Sequence, residues 1–331
     1  MNILIVTPFR NYPGGVETFN AQLSLVFQKA GHQVDYLTSE QTSENEKSFL
    51  RRFVGTPAIT AKKFGQLKKH YDVVICNGEF SWGIKHPNLI NIFHGSYLGL
   101  RDFQKGTLTL KQYLSLTWQS FIQKWAAKGH TVVAVSSFVA GILKKQGIKV
   151  SSIIEIGVDT DLFSPHTSSL TTFSTTDLFV GSYNYYGKGF DVLESLAKKG
   201  LHISCVTNQK PSALLNWLPS KTHQELPEVY RAHHLLIFPS RFEAGGLVPL
   251  EAMACGIPIL MGRTGYGIDI EKEIPEFVVS EITPENFLEK REYIDKNYTE
   301  LSRRARDYVL EKHSLNHFSS EWLKLIKKLS V

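Results

Sequence analysis

Short apolar runs alternate along this chain with longer stretches whose apolar positions recur every three to four residues. Asn2 to Thr7 reads as a strand, about Glu17 to Ala30 as an amphipathic helix stopped by Gly31, and His32 to Leu37 as a second strand. That is the βαβ opening of a nucleotide-type fold. Strands follow at Asp72 to Cys76, Leu89 to Phe93, Thr131 to Val135 and Ser152 to Ile156, with a long amphipathic helix over Leu108 to Ala127. A Ser/Thr-rich stretch, His166 to Thr176, interrupts the pattern before it starts again. The second series opens at Asp177 with L-F-V-G-S, then His202 to Val206, a helix Leu226 to Ala232, and strands His234 to Phe238 and Ile257 to Met261. From about Glu285 the chain is helical and charged, ending on the apolar stripe Trp322, Leu323, Ile326 and Leu329. Strands separated by helices build parallel sheets covered on both faces, so the pattern predicts an α/β protein, and the length suits two such domains.

The densest chemistry lies in Arg241 to Gly256, R-F-E-A-G-G-L-V-P-L-E-A-M-A-C-G, just beyond the strand that ends at Pro239 and Ser240. Gly245 and Gly246 open a helix with Pro249 in its first turn and Leu250, Met253 and Ala254 as its apolar stripe. A glycine turn feeding a helix leaves N–H groups unpaired at the positive end of the dipole, which suits a phosphate. The amides of Gly246, Leu247 and Val248 are the natural donors, since Gly246 presents no side chain. Glu243 precedes the helix and Glu251 lies eight residues on, and two carboxylates beside such a cradle fit a ligand bearing hydroxyls. Tight packing and a solvated acidic face are the bland readings of the same residues.

Glu243 and Glu251 with seven residues between them, within P-S-R-F-E and E-A-M-A-C-G-I-P, resemble the donor-site signature of the retaining GT-B glycosyltransferases of family 4. The resemblance covers most of the chain, densely in the second half and thinly between residues 38 and 130. It implies two Rossmann-like domains facing each other across a cleft. An acceptor domain of residues 1–165 would be rejoined by the C-terminal helix of about 316–331, and a donor domain would span 175–315. P-G-G-V-E-T resembles the acceptor-domain glycine loop, which assigns Gly14 and Gly15 to the donor phosphates. His94, at the end of a predicted strand, stands where the family places a residue near the donor sugar. Y-N-Y-Y-G-K-G resembles the loop that gives Lys188 its phosphate role, but Ser182 stands where an arginine is usual. Arg241 and Arg263 are candidate replacements. Glu251 would bind the ribose, Glu243 a sugar hydroxyl, and Leu218 to Gln224 the base. Asp159-x-Asp161 invites a metal reading, but G-V-D-T-D-L-F-S-P resembles the family's linker entry, so no metal and no cofactor beyond the nucleotide-diphosphate sugar substrate are assigned.

Composition narrows the setting. Of 331 residues 42% are hydrophobic and 21% charged, an ordinary globular balance with room for two cores. No apolar run approaches the ~20 residues of a membrane span, and Met1 leads straight into a strand, so a cytoplasmic location is expected. Cys76, Cys205 and Cys255 are scattered and read as small buried side chains. Residues 1–160 hold 18 Lys and Arg against 10 Asp and Glu, while the remainder is slightly acidic. No basic stripe interleaved with aromatics points to nucleic acid. An anionic membrane or acceptor fits better, and the Lys/Arg–Phe stretch within Ser43 to His70 (Phe49, Arg51, Arg52, Phe53, Lys62, Lys63, Phe64, Lys68, Lys69) reads either as a solvated helix face or as an interfacial segment. The expected function is transfer of a sugar from a UDP- or GDP-sugar to a glycan or lipid-linked acceptor hydroxyl, with retention. A phosphorylase, an epimerase or an impaired binding protein on the same fold are the alternatives.

Overall fold

The computed structural model describes residues 1–10, 14–39, 54–165 and 175–329. It forms two compact units, one of residues Met1–Glu155 joined by the C-terminal residues from Phe318, the other of Ile156–His317. The division falls between Glu155 and Ile156, earlier than the linker motif suggests.

In the first unit the strands β1 (Asn2–Thr7), β2 (Gln33–Thr38), β3 (Val73–Asn77), β4 (Leu89–Phe93), β5 (Thr131–Ala134) and β6 (Ser152–Ile153) form one parallel sheet in the order β2-β1-β3-β4-β5-β6. Ile3 to Val6 and Val73 to Cys76 are fully buried, as strands covered on both faces must be. Each such side chain contributes ~1.5–3 kcal/mol of burial. Helix α1 (Gly15–Lys29) follows β1 and buries Phe19, Leu23, Val26 and Phe27, one apolar stripe at helical spacing. Helices α2 (Thr56–Phe64), α3 (Tyr97–Phe103), α4 (Leu110–Ala127) and α5 (Ser137–Lys145) complete the unit.

Two of these helices depart from simple expectation. The basic stretch before His70 turns its apolar residues inward: Pro57, Ala58 and Ile59 of α2 are buried, and Ala61 and Phe64 pack on a cluster that includes Leu4, Leu37 and Val74. Phe49, Arg51, Arg52 and Phe53 lie outside the described residues. Helix α4 starts at a capping box between Thr109 and Gln112, and its length matches the apolar periodicity. Its faces are reversed, because the side it buries carries Ser120, Ile122, Gln123, Ala126 and Ala127.

The second unit repeats the plan with β7 (Asp177–Val180), β8 (Ile203–Thr207), β9 (Asn216–Pro219), β10 (Leu236–Phe238), β11 (Ile259–Gly262) and β12 (Val278–Val279), all parallel in the order β12-β11-β10-β7-β8-β9. Its helices are α6 (Phe190–Lys198), α7 (Leu226–Arg231), α8 (Leu247–Ala254), α9 (Gly267–Glu273), α10 (Pro284–Lys296) and α11 (Tyr298–Lys312), before the closing α12 (Leu315–Leu329). Residues 156–164 belong to this unit through backbone contacts: the Arg306 guanidinium donates to the carbonyls of Thr160, Phe163 and Ala254, and Arg231 to that of Ser164. From Phe318 onward α12 packs in the first unit, where Phe318 and Trp322 meet Phe19 edge-on at 5.3 and 6.0 Å. The chain runs outward from β7 to β9, then returns to the other side of β7 with β10. Loops after β7 and β10 therefore lie side by side at a topological switch point, where open α/β sheets take their ligands.

Candidate functional site

These two loops meet at backbone distance. Gly189, which caps α6 with φ +73°, has no room for a Cβ, because one would sit 2.4 Å from the Pro239 carbonyl. Arg241 N–H donates to the Gly187 carbonyl at 2.9 Å, closing the contact. It brings together two predicted site residues 55 positions apart: Lys188 Nζ donates to Glu243 Oε1 at 2.5 Å, with 22% and 14% of the side chains exposed. Lys188 also lies 5.6 Å from the centre of the Phe238 ring. Thr264 fixes the Glu243 backbone, its hydroxyl accepting from the N–H and donating to the carbonyl.

Neither candidate for the missing arginine faces the turn unengaged. Arg241 makes a two-pronged pair with Asp191, both bonds 2.7 Å, and stacks over Tyr186. Arg263 makes a similar pair with Glu271. Hydrogen bonding to Asp191 raises the Arg241 pKa further. Ser182 is exposed on the loop between β7 and α6.

Gly246 precedes α8 at φ +106°, a conformation glycine reaches without strain, and no side chain caps the helix. The amides of Leu247 and Val248 thus open the helix without a side-chain cap, a few residues after Glu243 and beyond the carboxyl end of the central strand β10. Glu251 lies further along α8, and its side chain is only 3% exposed. Tyr230 donates to one of its oxygens at 2.8 Å, and His223 contacts the other at 3.2 Å. The hydrogen bond to Glu251 raises the His223 pKa above its ordinary value, against the effect of burial. Burial and the adjacent carboxylate push the Tyr230 phenol up, so it stays a donor. His223, half exposed with its ring edge-on to Phe163 at 4.9 Å, lies in the loop assigned to the base but carries no pattern that would single it out. Asp159 accepts from the backbone N–H groups of Asp161 and Leu162, closing its own turn.

The remaining predicted residues belong to the first unit. Gly14 is extended and precedes α1, its carbonyl accepting from Thr18, and Gly15 has nothing within 4 Å of where a Cβ would stand. His94 follows β4 and contacts Asn77 Oδ1 through Nε2 at 2.7 Å. Asn77 Nδ2 donates to the Val6 carbonyl and to Asn20 Oδ1, while Asn20 donates to Thr7. Asn77 Oδ1 is therefore an acceptor, which assigns the proton to His94 Nε2 and leaves Nδ1 an acceptor in the neutral ring. Burial lowers the His94 pKa to about 3, and Phe19 lies edge-on at 4.8 Å.

The switch point, the glycine-opened helix and the Lys188–Glu243 pair all belong to the second unit. Residues 13–162 match the model of Glycosyltransferase Family 4, and residues 205–311 that of Glycosyl transferases group 1. The chain belongs to the family 4, group 1 glycosyltransferases and has the GT-B fold. A probable sucrose-phosphate synthase of Thermosipho melanesiensis is 30% identical in a match 204 positions long that covers 54% of this chain and 48% of that protein, so the chain matches about half the length of this relative. Among solved structures, a sucrose-phosphate synthase from Thermosynechococcus elongatus is similar with a TM-score of 0.78 at 17% identity, over 99% of both chains. HepE of Anabaena, solved in complex with UDP-glucose, is similar with a TM-score of 0.71 at 13% identity, over 100% of this chain and 99% of that one. Among the described residues no helix is long and apolar enough to cross a membrane.

Proposed function

We propose that the chain transfers a sugar from a nucleotide-diphosphate sugar to an acceptor hydroxyl, retaining the anomeric configuration, in the assembly of a glycan, lipopolysaccharide or glycolipid. The observation that carries this is the open start of α8 at Gly246, beyond the carboxyl ends of the central strands β7 and β10, whose loops also hold Lys188 against Glu243. Charge builds on the departing diphosphate during transfer, and preorganised donors facing that charge lower the barrier most. The amides of Gly246, Leu247 and Val248 and the Lys188 ammonium supply them. Glu243 accepts a hydroxyl of the sugar, and Glu251, held by Tyr230 and His223, accepts from the ribose. Uracil is the base favoured by the UDP-glucose complex of HepE, with a guanine donor as the alternative.

The first unit takes the acceptor in this reading. Gly14 and Gly15 let the donor phosphates approach the backbone, and His94 offers Nδ1 to a sugar hydroxyl as a neutral acceptor. No part is given to a metal or to a further cofactor. A lipid-linked acceptor would bring the protein to an anionic membrane surface. The test is turnover of UDP-, GDP- and ADP-sugars on hydroxyl acceptors, read by release of the nucleoside diphosphate and the configuration of the product. Phosphate replacing the nucleotide as co-substrate would make it a phosphorylase. Tight nucleotide binding without turnover on any acceptor would make it a binding protein.

A further inference from the structure

Helix α4 exposes what helices normally bury. Leu110, Leu114, Trp118, Phe121 and Trp125 are all exposed, from 74% for Leu110 to 41% for Trp118. At about 100° per residue these five positions fall within an arc of about 80°, opposite the buried side. A continuous stripe of Leu, Phe and Trp on one helix face marks a surface that meets another phase or partner. The charge around it identifies which. From Phe103 to Ile154 the chain carries seven lysines and not one aspartate or glutamate. Lys111, Lys124 and Lys128 flank the stripe itself. The Lys124 ammonium lies against Gly147, and Gln146 donates to the Ser120 carbonyl at 2.5 Å, which sets the C-terminal end of α5, with Lys144 and Lys145, beside α4. An apolar stripe with indole rings, on a stretch of chain with seven lysines and no acid, matches an anionic bilayer surface, with rings at the headgroup level and ammoniums on the phosphates. The carboxylates nearest α4 come from outside that stretch and are engaged, Glu79 by Tyr97 and Gln123 and Asp102 by Arg101. A second copy of this chain would bring like charges face to face.

We propose that α4 docks the protein on anionic lipid through Leu114, Phe121 and Trp125, with Lys111, Lys124 and Lys128 on the headgroups. This rests on the membrane contact put forward above and moves it away from α2, whose apolar residues are spent inside the fold. The experiment is sedimentation of the full chain with phosphatidylcholine–phosphatidylglycerol vesicles and with phosphatidylcholine alone. Wild type should bind only the anionic vesicles, less tightly as salt rises. Phe121→Ser with Trp125→Ser should weaken binding by about tenfold or more, and so should Lys111→Gln, Lys124→Gln and Lys128→Gln together, whose apolar surface is untouched. A Lys62→Gln, Lys63→Gln, Lys68→Gln variant should bind normally. Loss in that variant alone would leave the membrane contact standing and overturn α4 as its surface. Binding of wild type to neither vesicle overturns both, and a wild-type dimer split by the Phe121/Trp125 variant would assign the stripe to a second copy instead.

Discussion

At the scale of single residues, the site turns on one ammonium and one carboxylate. Lys188 and Glu243 neutralise each other at 2.5 Å before any ligand arrives, so a diphosphate must share Lys188 with Glu243. If Lys188 holds the donor phosphates, removing it would leave a partly buried carboxylate without its partner in their path, which is worse than removing both partners. Lys188→Ala should therefore lower turnover by about 10²–10³-fold and weaken nucleoside diphosphate binding. Glu243→Gln should lower turnover while nucleotide affinity holds or rises. The double variant should bind nucleotide better than Lys188→Ala alone, with a coupling of about 1–3 kcal/mol by calorimetric titration. Additive effects would mean that the pair does not persist once ligand is bound. Lys188, Glu243, Gly246 and Glu251 are legible in the sequence because each sits in a local phrase. Their pairing is not, since 55 residues separate Lys188 from Glu243. His223 is illegible for the same reason: only the fold returns its loop to Glu251. Arg241 and Arg263 look equivalent on paper, and only the structure shows Asp191 and Glu271 holding them.

At the scale of elements, the loops after β7 and β10 act as one body. Gly189→Ala would drive a Cβ into the Pro239 carbonyl at a backbone angle alanine resists, and should cost at least ~2 kcal/mol by denaturant unfolding. Gly15→Ala is the contrasting case. Gly15 lies at the first turn of α1 with open space around its Cβ position, so alanine should leave stability unchanged or raise it by about 0.4–1 kcal/mol. If Gly15 admits the donor phosphates, turnover should nevertheless fall, and full activity in a stable variant would remove it from the site. Long buried strands such as β1, β3 and β4 are plain in the sequence because β-branched runs say the same thing locally and globally. The edge strands β9 and β12 are not: N-W-L-P is largely exposed and ends in proline, and Val278–Val279 is too short to make a pattern. The length of α4 could be read but not its orientation. Periodicity shows that a face exists, but Gln123 can turn inward because Glu79 and the Tyr97 amide meet it there, and Ser120 because its hydroxyl donates back to the Thr117 carbonyl.

At the scale of the whole molecule, two histidines should dominate the response to acid, the partly buried His94 of the first unit and the buried His313 of the second. Burial lowers the pKa of His94 in the first unit and of His313 in the second to about 3. In the unfolded chain both would take up a proton near pH 6.5. Between about pH 6.5 and 3 the unfolded state thus binds one more proton per histidine than the folded state, and stability falls as pH falls, by about 1.4 kcal/mol per pH unit for each. His32, His130 and His233, also lowered by burial, act in the same direction. His223 acts in the opposite one. Its pKa is raised by Glu251, so its contribution is complete below pH 6.5 and fades as pH rises through the folded value. The chain should accordingly lose stability steeply from about pH 6.5 to 4.5, before ordinary carboxylates titrate, and only gently above neutrality. Urea unfolding across that window should show a shallower slope for His94→Gln and for His313→Gln than for wild type. Each variant should be less stable than wild type at pH 7, where it has lost the packing of the ring and, for His94, the hydrogen bond to Asn77, and the gap should narrow towards pH 4.5. A gap that stays constant across the window would show that the two histidines titrate alike in the folded and unfolded chain.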